Sequence, residues 1–401
     1  MPRKRISGEK SFALPESFKV TAGIDTDRDF LVTAIIDHEG SVPSSPSNDG
    51  RQVITREFAQ DHVGIAKLCE HLKDNAVEYV VIESTGAYHI AAYQAMKAHG
   101  IRVGVINPQF IRSLLRVEGK TDAADAVTLA RLASGFHLRI SNMPDEMQTH
   151  LRLYLRTYDK TSSHKTRISN QTVNLLTQQG ILLYRLIKIG SVSGMAILFA
   201  LSMGEPPQEA VKKNWKGAKK RLPELLDSVN DLPEYMLPFL GEAYADMQQA
   251  KMRMDHLIDE ALKLSELYGL QEQMARMSTA PAIKPLLALR IISEMGHDFS
   301  SRYYSADAFA SACGVAPKNI ITGGQLVKKG TARGNSHVKK HVLNSVKGWL
   351  LSAPDHHPLK QWFVSYQGRG GTYSKGCSAL ARKIICALWW MEKRAEFYQP
   401  N

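Results

Sequence analysis

The sequence predicts a mixed α/β domain first, a helical middle with a coiled-coil seam, and a basic, mostly helical C-terminal part. Three observations predict it. Residues 18–108 alternate β-rich runs with stretches of helical spacing. Apolar residues then recur in steps of three and four from Leu240 to Leu264. Residues 301–401 carry 15 Lys+Arg against 4 Asp+Glu, an excess that accounts for most of the chain's formal +12. We set the boundaries at 18–140, 141–275 and 276–398.

Each element follows in order. "FKVTAGIDTDRDFLVTAIID" (18–37) reads as two β runs, 19–24 and 30–36, around a polar turn. A Pro/Ser-rich loop (38–50) leads to a third run, "RQVITREF" (51–58). "DHVGIAKLCEHLKDN" (61–75) has helical spacing, and "VEYVVIES" (77–84) reads as a buried strand. A helix over 87–100, closed by Gly100, precedes a last strand over 101–108. The layout is a three-strand meander followed by β-α-β. Beyond residue 145 the pattern is mostly helical. The seam Leu240, Ala243, Met247, Ala250, Met254, Leu257, Ala261 and Leu264 predicts a coiled coil or helical hairpin. An earlier helical stretch (151–176) carries Lys160, His164, Lys165 and Arg167, and 211–227 is a second basic patch. From about 277 the chain reads as helical again.

Composition excludes several classes. The longest apolar run, near 193–204, is too short to span a bilayer, and the basic N-terminus lacks a signal peptide's apolar segment. Cys69, Cys313, Cys377 and Cys386 form no CxxC pair, which argues against a zinc ribbon or a disulfide framework and favours a reducing cytoplasm. The net charge points to a polyanionic partner. "GKT" (119–121) is not a P-loop, because the motif needs glycine where Leu114 stands.

Four acids carry the candidate chemistry. Asp25 and Glu83 each follow an apolar run and so stand at the C-terminal ends of buried strands, where ligands bind in open α/β sheets. Asp122 and Asp125, three residues apart, project from one helix face. Brought together, four carboxylates repel and raise one another's pKa values, and hard cations such as Mg²⁺ or Mn²⁺ neutralise them. Equally, spacing alone allows a helix cap, a surface acid and two turn residues.

"GIDTDRDF", "VIESTGAYHIAAYQAMKAHGIRVGVINPQFIRSLLR" and "GKTDAADAVTLARLA" resemble the first domain of the DEDD-type insertion-sequence transposases of the family numbered one-ten, which includes relatives of the Piv DNA invertase. The resemblance implies an RNase H-like, RuvC-like domain whose acids Asp25, Glu83, Asp122 and Asp125 bind Mg²⁺ or Mn²⁺. Residues 278–395 resemble that family's second domain, through "E-x-G" (Glu294 to Gly296), "G-x-x-P" (Gly314 to Pro317), a Gly-Gly loop and "G-N-x-x-basic" (Gly334, Asn335).

In that loop the family carries a serine regarded as the nucleophile that attacks a DNA phosphate. Here the loop reads "PKNIITGGQ", so three readings stay open. Thr322 replaces the serine, another hydroxyl such as Ser336 is brought in, or strand cleavage is impaired. The turn "APAIKP" has Ala282 and Lys284 where the family has glycines. Lys328, Lys329, Arg333, Lys339 and Lys340, interleaved with glycine, suit phosphate contacts. The resemblance further implies donor and target DNA as partners and a bridge RNA that selects them by base pairing. Several strands to break require several sites, which leads to a dimer joined by the coiled coil and pairing into a tetramer. The alternatives are a RuvC-like nuclease that uses water, and a non-catalytic nucleic-acid-binding protein.

Overall fold

The structure, a computed structural model, describes residues 18–39, 45–46, 52–84, 86–108, 121–134, 140–229, 232–322, 325–331 and 334–399; at 45, 46, 52 and 318–329 it describes the backbone alone. The chain divides into two compact units, Met1–Met143 and Pro144–Asn401.

The first unit is built on one sheet: β1 (Val20–Thr26), β2 (Phe30–Asp37), β3 (Ser45–Pro46), β4 (Gln52–Ala59), β5 (Tyr79–Glu83) and β6 (Val103–Ile106). Their order is β3-β4-β2-β1-β5-β6. β1, β2 and β4 pair antiparallel as the expected meander, while β5 runs parallel to β1 and β6 parallel to β5. The two-residue β3 lies in the expected Pro/Ser loop and was not anticipated. Period-2 alternation splits the core between the two faces of the sheet. Ala22, Ile24, Val80 and Ile82 pack with Leu68 and Leu72 of α1 (His62–Asp74) and with Ala92 and Met96 of α2 (His89–Ala98). On the opposite face Val81 and Ile106 pack with Leu129 and Leu132 of α3 (Asp122–Ala133).

Gly23 sets how closely α3 approaches that second face. A Cβ at position 23 would lie 2.1 Å from the Ala126 carbonyl oxygen and 2.3 Å from the Ala130 nitrogen. Helix and strand therefore touch backbone to backbone, and the Thr21 hydroxyl donates to the Ala130 carbonyl at 2.8 Å. Gly23→Ala is expected to destabilise this unit by about 3 kcal/mol or more, because backbone rather than a flexible side chain must move. The check is the unfolding midpoint of the full chain. Wild-type stability in the variant would mean that α3 does not sit on β1.

The second unit is helical apart from one hairpin. Its helices are α4 (Glu146–Gln178), α5 (Val192–Ser202), α6 (Pro207–Asn214), α7 (Leu222–Ser228), α8 (Leu237–Leu267), α9 (Gln271–Ser278), α10 (Pro285–Met295), α11 (Phe299–Arg302), α12 (Ala306–Ala312), α13 (Ser336–Ser352), α14 (Pro358–Gly368) and α15 (Tyr373–Arg394). Asp145 and Gln148 form a capping box that fixes the start of α4. α4 and α8 lie against each other over much of their length. In the α8 seam Leu240, Ala243, Met247, Ala250, Leu257 and Ala261 are buried, and Met254 and Leu264 are half-buried. The first three join Ile168 and Leu176 of α4 in one cluster, and Ala261 joins Met147, Leu151 and Leu155 in another. The heptad pattern is thus satisfied within the chain, as a helical hairpin.

One stretch read as helical is not. Pro317–Thr322 (β7) and Gln325–Thr331 (β8) pair as an antiparallel hairpin with a two-residue connection, Thr322 opposite Gln325. The Gly-Gly between two β-capable runs is the signal that identifies such a turn. Among the described residues no helix is long and apolar enough to cross a membrane.

Candidate metal centre and nucleic-acid interface

In the first unit, backbone register decides where the acids point. Asp25 is the penultimate residue of β1 and Glu83 the last of β5. The two strands are parallel with Ile24 beside Ile82, so Asp25 and Glu83 are the next residues along adjacent strands. Ile24 and Ile82 face α1 and α2, whereas Gly23 and Val81 face α3. Alternation therefore sends Asp25 and Glu83 to the α3 face. Along that face Ala130 stands over Thr21 and Ala126 over Gly23. One more turn towards the helix N-terminus carries Asp122 and Asp125 out beyond Gly23, to the end of β1 where Asp25 sits.

Electrostatics registers the same convergence. The Asp25 carboxyl is raised from 3.8 to about 6, first by burial and then by the charges of Glu83, Asp122 and Asp125; a hydrogen bond from the Thr26 amide, 2.9 Å from Oδ1, works in the opposite direction. The first turn of α3, capped by Thr121, adds the positive end of a helix dipole beneath Asp122 and Asp125. Among the described residues no three Asp, Glu, His or Cys side chains stand close enough to hold a metal ion as they are. An all-carboxylate donor set suits a hard divalent cation.

In the second unit, Thr322 ends β7, and its side chain lies outside the described residues. The same holds for the side chains of Lys328 and Lys329 in β8 and for Arg333 altogether. Lys339 turns back to the hairpin, its Nζ 2.5 Å from the Thr331 hydroxyl. Lys340 is exposed, and it lines a cavity of about 540 Å³ together with Arg156, Lys160, Arg167, Ser336 and His337.

Two carboxylates, Glu294 buried and Asp159 half-buried, organise this region. Glu294 accepts both Arg156 bonds, Nε at 2.8 Å and Nη2 at 2.8 Å, and a 2.7 Å bond from Asn335 Nδ2. Burial would raise the Glu294 carboxyl, but the bonds from Arg156 and Asn335 and the charges of Arg152 and Arg156 overcome it and hold the group below its ordinary range. Asn335 also caps α13, its Oδ1 accepting from the His337 and Val338 amides. Gly334 precedes it without a side chain because a Cβ there would meet Gly314 N at 2.4 Å. Asp159 accepts from Arg290 at 2.7 Å and lies 2.7 Å from His341 Nε2. Burial works to raise Asp159, and the His341 bond and Arg290 charge overcome it.

Sequence reasoning named Glu294 and Asn335 only as parts of separate motifs. The structure brings those motifs into contact. It did not single out Arg156, Asp159, Arg290 or His341. A glutamate and an arginine inside "LLALRIISEMG" were the available signal, since charges in an apolar helix are retained when paired.

Comparison with known proteins settles the family. A DEDD transposase model of the IS110 type matches residues 22–180, and a model described as transposase IS116/IS110/IS902 family matches residues 274–354. Between them they cover more than half of the chain. The chain belongs to the IS110 family of transposases. The uncharacterized 44.8 kDa protein of insertion element IS116 from Streptomyces clavuligerus is 22% identical over 381 residues, 88% of this chain and 92% of that one. The transposase of insertion sequence element IS1111A from Coxiella burnetii is 22% identical over 323 residues, 80% of this chain and 79% of its own. Thermus thermophilus RuvC, solved in complex with a Holliday junction substrate, aligns with 28% of this chain and 89% of its own at 14% identity and a TM-score of 0.22. As a member of this family the chain is a DNA-cutting and rejoining enzyme; the first matched region runs through α4, and α8 lies between the two.

Proposed function

We propose that this transposase cuts and rejoins DNA with a metal centre formed by Asp25, Glu83, Asp122 and Asp125 and a hydroxyl nucleophile from the C-terminal domain. The observation that carries the reading is the Asp25 carboxyl, repelled by the other three acids at the sheet edge where α3 begins. The strand order supports an RNase H-like domain, since a three-strand antiparallel meander is extended by two strands parallel to its first. When bound, Mg²⁺ or Mn²⁺ would polarise the scissile phosphate and stabilise the leaving oxygen. Asp25 and Glu83 hold one wall of that centre, and the capped first turn of α3 holds the other. DNA is the substrate. A bridge RNA that pairs with donor and target accords with a basic protein that has no evident base-reading motif. The dimer pairing into a tetramer would then form through surfaces other than the α8 seam, which α4 covers within the chain.

The experiment is an excision assay in which the chain and the non-coding transcript flanking its gene are supplied with DNA carrying the element's ends. Sealed junctions that require a divalent cation and the transcript are expected. Unsealed ends accumulating without junctions would replace this reading with the RuvC-like nuclease. Sealed junctions formed without the transcript would remove the RNA.

A further inference from the structure

The cavity beside the start of α13 carries charge that the fold does not use. Arg156, Lys160, Ser163 and Arg167 all line it, at intervals of four, three and four residues along α4. That spacing sets them in one stripe. Lys340 and the first residues of α13 form the facing wall. Arg156 is neutralised and oriented by Glu294, and the cavity's one carboxylate, Asp159, is engaged by Arg290 and His341. Lys160, Arg167 and Lys340 have no ion pair among the described residues. Three exposed cations thus converge on a concave surface where the nearby acids are already committed.

We propose that this groove is a track for the sugar-phosphate backbone of a nucleic-acid strand. The stripe from Arg156 to Arg167 spans about 16 Å at the helical rise, long enough for a run of phosphates rather than one anion. Serine hydroxyls at 163 and 336 supply donors suited to phosphate oxygens. Asn335 caps the α13 N-terminus and keeps that end ordered through the same Glu294 that sets Arg156. Glu294 is therefore a positioning residue, joining the guanidinium and the helix start into one rigid wall. The track is built from residues of the second unit alone and shares only Lys340 with the five basic residues picked out by sequence. It rests on the reading of this chain as a nucleic-acid enzyme.

The test measures binding of single-stranded DNA and RNA oligonucleotides of one sequence against salt concentration. Wild-type full-length chain is compared with the triple variant Lys160→Gln, Arg167→Gln, Lys340→Gln. A control variant, Lys67→Gln, Lys73→Gln, Lys97→Gln, removes the same charge from exposed lysines of the first unit, outside the basic patches. The triple variant is expected to lose about 2 from the slope of log K against log salt, on the basis of roughly 0.7 for each phosphate contact. Affinity near physiological salt should fall at least tenfold, with an unchanged unfolding midpoint. Loss with DNA alone or RNA alone assigns the strand. Equal loss in the control variant, or no loss with either oligonucleotide, overturns the track while leaving the enzyme reading intact. A wild-type chain that binds neither oligonucleotide overturns the track too, whereas the enzyme reading fails only in the excision assay.

Discussion

Asp25→Asn is expected to leave a folded, more thermostable protein that no longer exchanges DNA strands. Asp25 is half-buried and repelled by three acids, so its carboxyl titrates near 6 in the fold against 3.8 in the unfolded chain. A raised acid binds protons in the native state that the unfolded state has lost, so stability falls as pH rises from about 4 through 6. Above that window the wild type carries the full penalty, on the order of 1–2 kcal/mol once the shift is discounted for partial exposure. Asparagine removes it. The variant's advantage in unfolding midpoint should therefore be absent near pH 4 and complete by pH 7.5. Mg²⁺ or Mn²⁺ should raise the wild-type midpoint at pH 7.5, less at pH 5, and little in the variant. Strand exchange should fall by about 1000-fold or more, because the lost charge is a ligand that neutralises and orients the cation. A variant that is no more stable than wild type at pH 7.5 without metal would show that Asp25 is neither desolvated nor crowded by the other acids. Retained exchange would remove Asp25 from the reaction.

How much of this was legible beforehand differs between the two units. The first unit's strands and the order Asp25, Glu83, Asp122, Asp125 could be read because burial of both sheet faces forces continuous apolar runs, and an acid ending such a run is conspicuous. What the runs could not give is the face on which each acid emerges. That depends on the parallel register of β1 with β5 and on the contact that only Gly23 permits. In the second unit, the α8 seam was visible as a heptad, but its partner was not, since an apolar stripe is equally satisfied by another copy or by the same chain. The structure gives it α4. Ala282 illustrates a different limit. Its φ of 65° is the left-handed conformation that glycine adopts freely, so the backbone keeps the shape expected of the family's glycine while the residue has changed. The ionic network failed to show for a simple reason. Arg156 and Glu294 are 138 residues apart, and their pairing exists only when α4 and α10 pack.

The second large effect concerns the hydroxyl. Thr322→Ala is expected to abolish the covalent protein–DNA adduct on a nicked, end-labelled substrate, while Ser336→Ala keeps it within a few-fold of wild type. Thr322 ends β7 at a two-residue turn, so the hairpin presents residue 322 at its tip with a backbone set by pairing to Gln325. A nucleophile needs that kind of fixed approach, and its removal costs about 1000-fold or more. Ser336 is the serious competitor, because it is exposed at the first turn of α13 beside Lys340 in the basic cavity. Its surroundings suit binding a phosphate that is not being cut, because three cations converge there. Thr322→Ser provides the discriminating arm. Removing the β-methyl eases approach to phosphorus without changing the attacking oxygen, so the adduct should form at least as fast as in wild type. An adduct that survives Thr322→Ala and disappears in Ser336→Ala would transfer the role to α13. Cleaved ends with no adduct in any of the four proteins would leave water as the nucleophile, and the four acids would then act as a nuclease centre.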